Sequence, residues 1–269
     1  MPSSRTPLDV ACLLGGVADP KWPVRALPVS ADMSRLDDDA YPRILSPFDE
    51  AALELALKLR DSGAAHRITV WLIGGAQSDA LARTLAAHKP DALQRIERAP
   101  LAVWDATRFA RQLAGVVDGL DRSPDLLLVG REMGDSDDGS FPAYLAHVLG
   151  RRFFGLAQYA RCGDAIELVR ERGALEESVM VDSPMLASVT TDRRNRLRHP
   201  LLKNLMLTRR NPVPVVVPPA ASGARRVTLV GAEPTRPAAR ASHCTMLEGA
   251  LPQQAQALAR RLGRWRRSP

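Results

Sequence analysis

The sequence predicts a doubly wound, mainly parallel α/β sheet followed by a long C-terminal arm. Three observations lead there. First, Leu126-Leu127-Leu128-Val129 and Ile68-Thr69-Val70-Trp71-Leu72-Ile73 are short, nearly unbroken apolar runs, the pattern of strands buried on both faces. Second, each run ends in glycine, at Gly130 or Gly74-Gly75, and apolar residues at helical spacing follow. Third, strand and helix signals alternate from Leu8 to Gly150, which favours right-handed parallel crossovers.

Residues 8–14 form the first predicted strand, with Gly15-Gly16 after it. Residues 17–45 are irregular and Pro-rich, longer than an ordinary connection. Ser46-Pro47-Phe48-Asp49 then opens a helix. Ser46 suits the N-cap, Pro47 the first turn, and Asp49 the return arm of a capping box. Ala52, Leu55, Ala56 and Leu59 continue its apolar face. The strand at 68–73 leads into a helix with Leu81 and Leu85 on one face, and Ile96 lies in a weaker strand. A helix over 107–117 precedes the strand at 126–129. A polar loop, 132–140, separates that strand from a helix carrying Leu145, Val148 and Leu149, which Gly150 closes. Open α/β sheets bind ligands at such a loop, and a helix start favours an anion. The run Asp135-Ser136-Asp137-Asp138 repels a bare phosphate unless its carboxylates turn away or hold ribose hydroxyls. It reads equally well as a solvated acidic loop.

After Gly150 the pattern changes. Short strands are predicted over 165–169, 178–181 and 186–190, with a turn at Glu171-Arg172-Gly173. A short helix follows at 201–207, an edge strand at 227–230, and a terminal helix at 253–262. Residues 232–245 are rich in Pro and Arg and offer no core. The expected division is a sheet domain over 1–220 and an arm over 221–269 suited to wrapping a partner subunit.

The formal net charge is +7, concentrated in 193–210 and in Arg260, Arg261, Arg264, Arg266 and Arg267. Only 4% of residues are aromatic, and no recognition helix, RNA-binding motif or zinc finger is present. Nucleic acid is therefore not the expected partner. An acidic protein partner or a nucleotide accounts for the basic patches, as does a solvated Arg-rich surface. No apolar run reaches about 20 residues, so no membrane span is expected. The first residues lack a signal-peptide pattern. Cys12, Cys162 and Cys244 are odd in number and widely spaced, which fits neither a metal site nor a disulfide framework. A reducing cytoplasm is the expected compartment. No GxSxG, HExxH, Walker or CxxC pattern occurs, and His66, His88, His147, His199 and His243 are scattered. No catalytic residue and no metal ligand is assigned. The chain is expected to hold a cofactor or a partner without making or breaking covalent bonds itself.

Four stretches, in order, resemble the beta subunit of electron transfer flavoprotein: SPFDEAALELALKLRD, DLLLVGREMGDSDDGS, VRERGALEESVMVDSPMLASVTTD and LLKNLMLTRRNPV. CTMLEGALPQQAQALARRL is similar to the end of some members. The resemblance implies an adenine-nucleotide-hydrolase-like sheet and a heterodimer with an alpha subunit. It also implies one FAD at the interface, held mostly by the alpha subunit, and a structural AMP in the beta subunit. A flavin dehydrogenase would reduce the FAD, and a membrane quinone oxidoreductase would accept the electrons. In some members a second FAD replaces the AMP and supports electron bifurcation. A stand-alone adenine-nucleotide- or RNA-binding protein of the same fold is a further alternative.

Carried over by position, Pro47 and Phe48 lie against the nucleotide and Ile73 and Gly74 border it. Asp137, Gly139, Ser140 and Phe141 form its phosphate loop. Leu202 falls where the family anchors partner dehydrogenases, with Arg196 and Arg198 among the steering charges around it. This chain departs from the family at Ser46 in place of Asn, Gly15-Gly16 in place of Lys-Gln, and Lys203 in place of Pro. It also has Gly139-Ser140-Phe141 in the phosphate loop and Pro142 where Gly is common. These departures predict weak AMP binding or none, with the Phe141 ring filling part of the site.

Overall fold

The structure, a computed structural model, describes residues 6–22, 41–97, 106–120, 122–134, 139–220 and 245–265. The chain divides into two units, Met1–Gly231 and Ala232–Pro269. In the first, β1 (Leu8–Ala18) and β2 (Arg43–Leu45) precede α1 (Pro47–Asp61) and β3 (Ala65–Ile73). Next come α2 (Asp79–Ala86), β4 (Ala92–Ile96), α3 (Ala106–Asp118), β5 (Leu126–Gly130) and α4 (Phe141–Val148). Then β6 (Arg152–Ala157) runs into a hairpin excursion of β7 (Tyr159–Cys162), β8 (Ile166–Arg172) and β9 (Leu175–Met180). The chain returns as β10 (Met185–Val189), α5 (Leu202–Thr208) and β11 (Val215–Val216). The second unit holds α6 (Leu251–Trp265).

The main sheet has the order β11-β4-β3-β1-β5-β10-β6. All its pairings are parallel except that of β2, which runs antiparallel to the end of β1. Side-chain alternation between two covered faces explains why the central strands β1 and β5 are largely apolar. On β1, Val10, Cys12 and Leu14 enter one core and Ala11 and Leu13 the other. On β5, Leu126 and Leu128 face one core while Leu127 and Val129 face the other. The first core is closed by α1, α2 and the β7–β9 sheet, the second by α3 and α4. This is the doubly wound sheet expected from the sequence.

The structure differs from the expectation in several elements. β1 continues to Ala18 because Gly16, Val17 and Ala18 pair with Leu45, Ile44 and Arg43. β6 and β7 were not expected. As the sheet's edge strand, β6 buries Phe154 and Ala157 but exposes Phe153 and Leu156, so it lacks the apolar run that marks a central strand. The opposite edge is β11, whose Val215 and Val216 pair with Arg95 and Ile96. The strand expected at 227–230 lies outside the described residues. Gly115, inside α3, is explained by close approach: a Cβ there would stand 2.6 Å from Pro219 Cγ.

Candidate functional site

The chain leaves β1 for β3 on one side and later returns through β5 on the other. The carboxyl ends of β1 and β5 therefore border the crevice where open α/β sheets bind ligands. α1 starts at this point. The buried Ser46 Oγ accepts the Asp49 N–H at 3.1 Å, and Pro47 occupies the first turn without leaving an amide unpaired. The expected capping box is only half formed. The Asp49 carboxylate turns to β1 instead, where Oδ2 accepts the Gly15 N–H at 3.1 Å. A Cβ on Gly130, the last residue of β5, would come within 2.5 Å of Asp49 Oδ1. Asp49 thus touches β1 at Gly15, where its parallel pairing with β3 ends, and the last residue of β5, at 0% exposure. Burial pushes its carboxyl up to about 8, against the pull of the Gly15 amide, the Ser46 hydroxyl and the Gly130 amide. The sequence showed Asp49 only as a capping residue.

Beside it, Phe48 is half-buried, and the Arg131 guanidinium sits 5.5 Å from the ring centroid. Arg131 also pairs with Glu132 at 3.3 Å. Pro47 is exposed. The Ile73 side chain belongs to the α3–α4 core, so at this border it offers only backbone. Gly74 donates its N–H to Ile96 O and accepts from Arg95 Nη1 at 2.8 Å, while a Cβ there would overlap the Ser78 hydroxyl. The buried Arg95 also holds Asp79 and Glu97, each at 2.8 Å. It braces the β3 loop, α2 and the end of β4 together, a role that its place inside a weak strand pattern did not reveal.

On the far side of the crevice, Gly139 takes φ +89 and Ser140 precedes α4. The Phe141 ring is 1% exposed and lies 5.1 Å from the Phe109 ring, in the α3–α4 core. That corrects the expectation that this ring fills the ligand site. Asp137 lies outside the described residues. Pro142, in the first turn of α4, has no N–H, so one of the amides that a helix start offers to an anion is missing. A Cβ on Gly15 would meet Met133 Sδ at 2.8 Å, so Met133 closes over the end of β1.

The basic segment lies elsewhere. Leu202 opens α5 and is 74% exposed, and Leu201, Met206 and Leu207 are exposed around it. α5 is fastened from its other side by the buried Asn204, whose Nδ2 donates to Ala87 O at 3.2 Å. Arg196 is exposed. Arg198 donates to both Glu54 oxygens and, at 2.5 Å, to Asp61. Of the two arginines, Arg198 is held in ion pairs, and Arg196 has none among the described residues.

The model of the electron transfer flavoprotein domain matches residues 35–221. An electron transfer flavoprotein subunit beta of Bradyrhizobium diazoefficiens is 32% identical over 63% of this chain and 66% of its own length. A mitochondrial electron transfer flavoprotein subunit beta of Oryza sativa subsp. japonica is 28% identical over 71% and 75%. A subunit beta of Syntrophomonas wolfei is 25% identical over 76% and 79%.

The chain belongs to the electron transfer flavoprotein beta subunit family.

Beta subunits of this family are electron transfer proteins, and the residues at the crevice can be weighed against that role. A half-buried aromatic ring under a guanidinium, Phe48 with Arg131, suits a flavin edge or its pyrophosphate. The phosphate loop fits a nucleotide less well, since Pro142 supplies no amide and the Phe141 and Ile73 side chains turn into the core. A separate cavity of about 340 Å³ lies between α1 and β7, lined by Leu55, Leu59, Tyr159 and Arg194 among others. Its polar groups are engaged internally. Arg194 pairs with Asp192 and Glu171, Asn195 bridges Gln158 O and Thr190 O, and Lys58 reaches Arg194 O. Among the described residues, no cluster of His, Cys, Asp or Glu can hold a metal ion, and no helix is long and apolar enough to cross a membrane.

Proposed function

We propose that this chain is the beta subunit of a heterodimeric, cytoplasmic electron transfer flavoprotein. It accepts electrons from a dehydrogenase on an FAD at the interface with an alpha subunit and passes them to a quinone-linked acceptor. The family match over residues 35–221 is the observation that carries the reading. The flavin supplies the redox chemistry, and this chain contributes placement and electrostatics. Phe48 and Arg131 present the surface for the flavin, and Leu202 with Arg196 the surface for the dehydrogenase. Residues 221–269 form the arm that wraps the alpha subunit. In support, α6 exposes Leu251, Leu258 and Leu262 along one helical stripe, opposite Arg260.

Co-expression with an alpha subunit tests this directly. The expected product is a heterodimer with one FAD, while the chain expressed alone is poorly soluble or flavin-free. Two flavins per heterodimer would indicate the bifurcating arrangement. A stable monomer that binds ATP or RNA without flavin would overturn the proposal.

AMP is held weakly or not at all. Nucleotide released on denaturing the pure complex is expected well below one per heterodimer, because α4 begins with Phe141-Pro142. One AMP per complex would show that the remaining backbone amides suffice.

A further inference from the structure

We propose that Asp49 is a positioning residue that acts as a neutral carboxylic acid, tying β1 at Gly15 to the end of β5 as an uncharged floor beneath the crevice. The proposal rests on reading the crevice as the cofactor site. Its basis is the geometry around a side chain with no exposure. A buried carboxylate ion needs a cation or several donors. Asp49 has one full hydrogen bond, from the Gly15 N–H to Oδ2; the Ser46 hydroxyl and the Gly130 amide pull on the carboxyl more weakly, and Oδ1 has no full hydrogen bond among the described residues.

The neighbouring charges do not neutralise it. Arg131, past the end of β5, is over Phe48 and paired with Glu132. Glu54, further along α1, is committed to Arg198. Glu50 on α1 is exposed and also negative. Cys12 on β1 is fully buried, and burial pushes its thiol up, so it stays neutral. Arg43 on β2 has contacts of its own. An ionised Asp49 would stand uncompensated in the core and would repel any phosphate-bearing cofactor above it. Protonation removes both penalties, so the proton and the cofactor are bound together.

The folded carboxyl titrates at about 8 and an ordinary one at 3.8. Between those values the folded chain keeps a proton that the unfolded chain has lost. Stability therefore falls as pH rises from about 4 to about 8 and levels off above that. An Asn at this position copies the neutral acid in shape and still accepts the Gly15 N–H.

The experiment compares wild type, Asp49→Asn and Asp49→Ala as full chains, in the complex with the alpha subunit where it forms. Melting temperature is followed from pH 5.5 to 9.5, and cofactor retention after gel filtration is measured over the same range. Wild type is expected to lose stability up to about pH 8, and Asp49→Asn to lack that loss and melt several degrees higher at pH 8.5. Asp49→Ala, which removes the tie to Gly15, melts below Asp49→Asn at every pH. Cofactor should leave wild type as pH rises and stay on Asp49→Asn. An Asp49→Asn profile with the wild-type slope, or Asn as damaging as Ala throughout, would overturn the neutral acid. A stability profile as expected with no cofactor on any variant would overturn the cofactor reading and leave the neutral floor standing.

Discussion

Arg198→Ala is expected to lower the stability of the chain by about 2–3 kcal/mol, while Arg196→Ala changes it by less than about 0.5 kcal/mol. The two arginines lie two residues apart in one basic segment, and their sequence context is nearly the same. Their surroundings are not. The Glu54 side chain is 4% exposed and receives the Arg198 Nε, Nη2 and backbone N–H. Removing the guanidinium strands that carboxylate, and breaking a buried pair costs roughly 3–5 kcal/mol. The Arg198 side chain is 40% exposed, so water partly replaces it and the lower figure applies. Urea denaturation at pH 7 measures both variants. For charge reversal the contrast is sharper. Arg196→Glu should slow the encounter with an electron donor chiefly at low salt, since screening removes a steering effect. Arg198→Glu should first weaken the fold. Equal stability of the two alanine variants would show that Glu54 finds another partner.

That contrast marks where sequence reading ends. The central strands were legible because burial on both faces demands unbroken apolar runs, as at 126–129 and 68–73. The helix starting at Ser46 was legible because cap chemistry is local. β6 was not, since an edge strand needs only Phe154 and Ala157 inside. Nor were the partners of long polar side chains. Asp49 satisfies the pattern of a capping box within three residues, yet it bonds Gly15 from 34 residues away. Arg198 reaches Glu54 across 144 residues. Phe141 stands in a loop position that suggests a ligand contact, but the ring follows the apolar periodicity of α4 into the core. In each case the residue type was informative and its direction was not, because direction is set by the strands and helices packed around it.

Leu202→Ala should slow electron transfer from the physiological dehydrogenase by roughly 10- to 100-fold in kcat/KM, with flavin content and melting temperature nearly unchanged. A leucine buried at the centre of an interface contributes roughly 1.5–3 kcal/mol by desolvation, and each 1.4 kcal/mol corresponds to about a factor of ten. The same residue contributes little to the fold, because at 74% exposure it has few internal contacts to lose. Asn204 rather than Leu202 fastens α5, through Ala87 O. Met206, one helical turn on, is also exposed and extends the apolar surface. Asn204→Ala serves as the opposite control. It should lower the melting temperature, and any loss of electron transfer should follow the loss of folded protein. Stopped-flow reduction of the complex by its dehydrogenase, at several salt concentrations, separates the contributions. The Leu202→Ala deficit should persist at high salt, because desolvation is not screened, whereas the Arg196→Glu deficit should shrink. A Leu202→Ala variant that transfers electrons at the wild-type rate would place the docking surface away from α5.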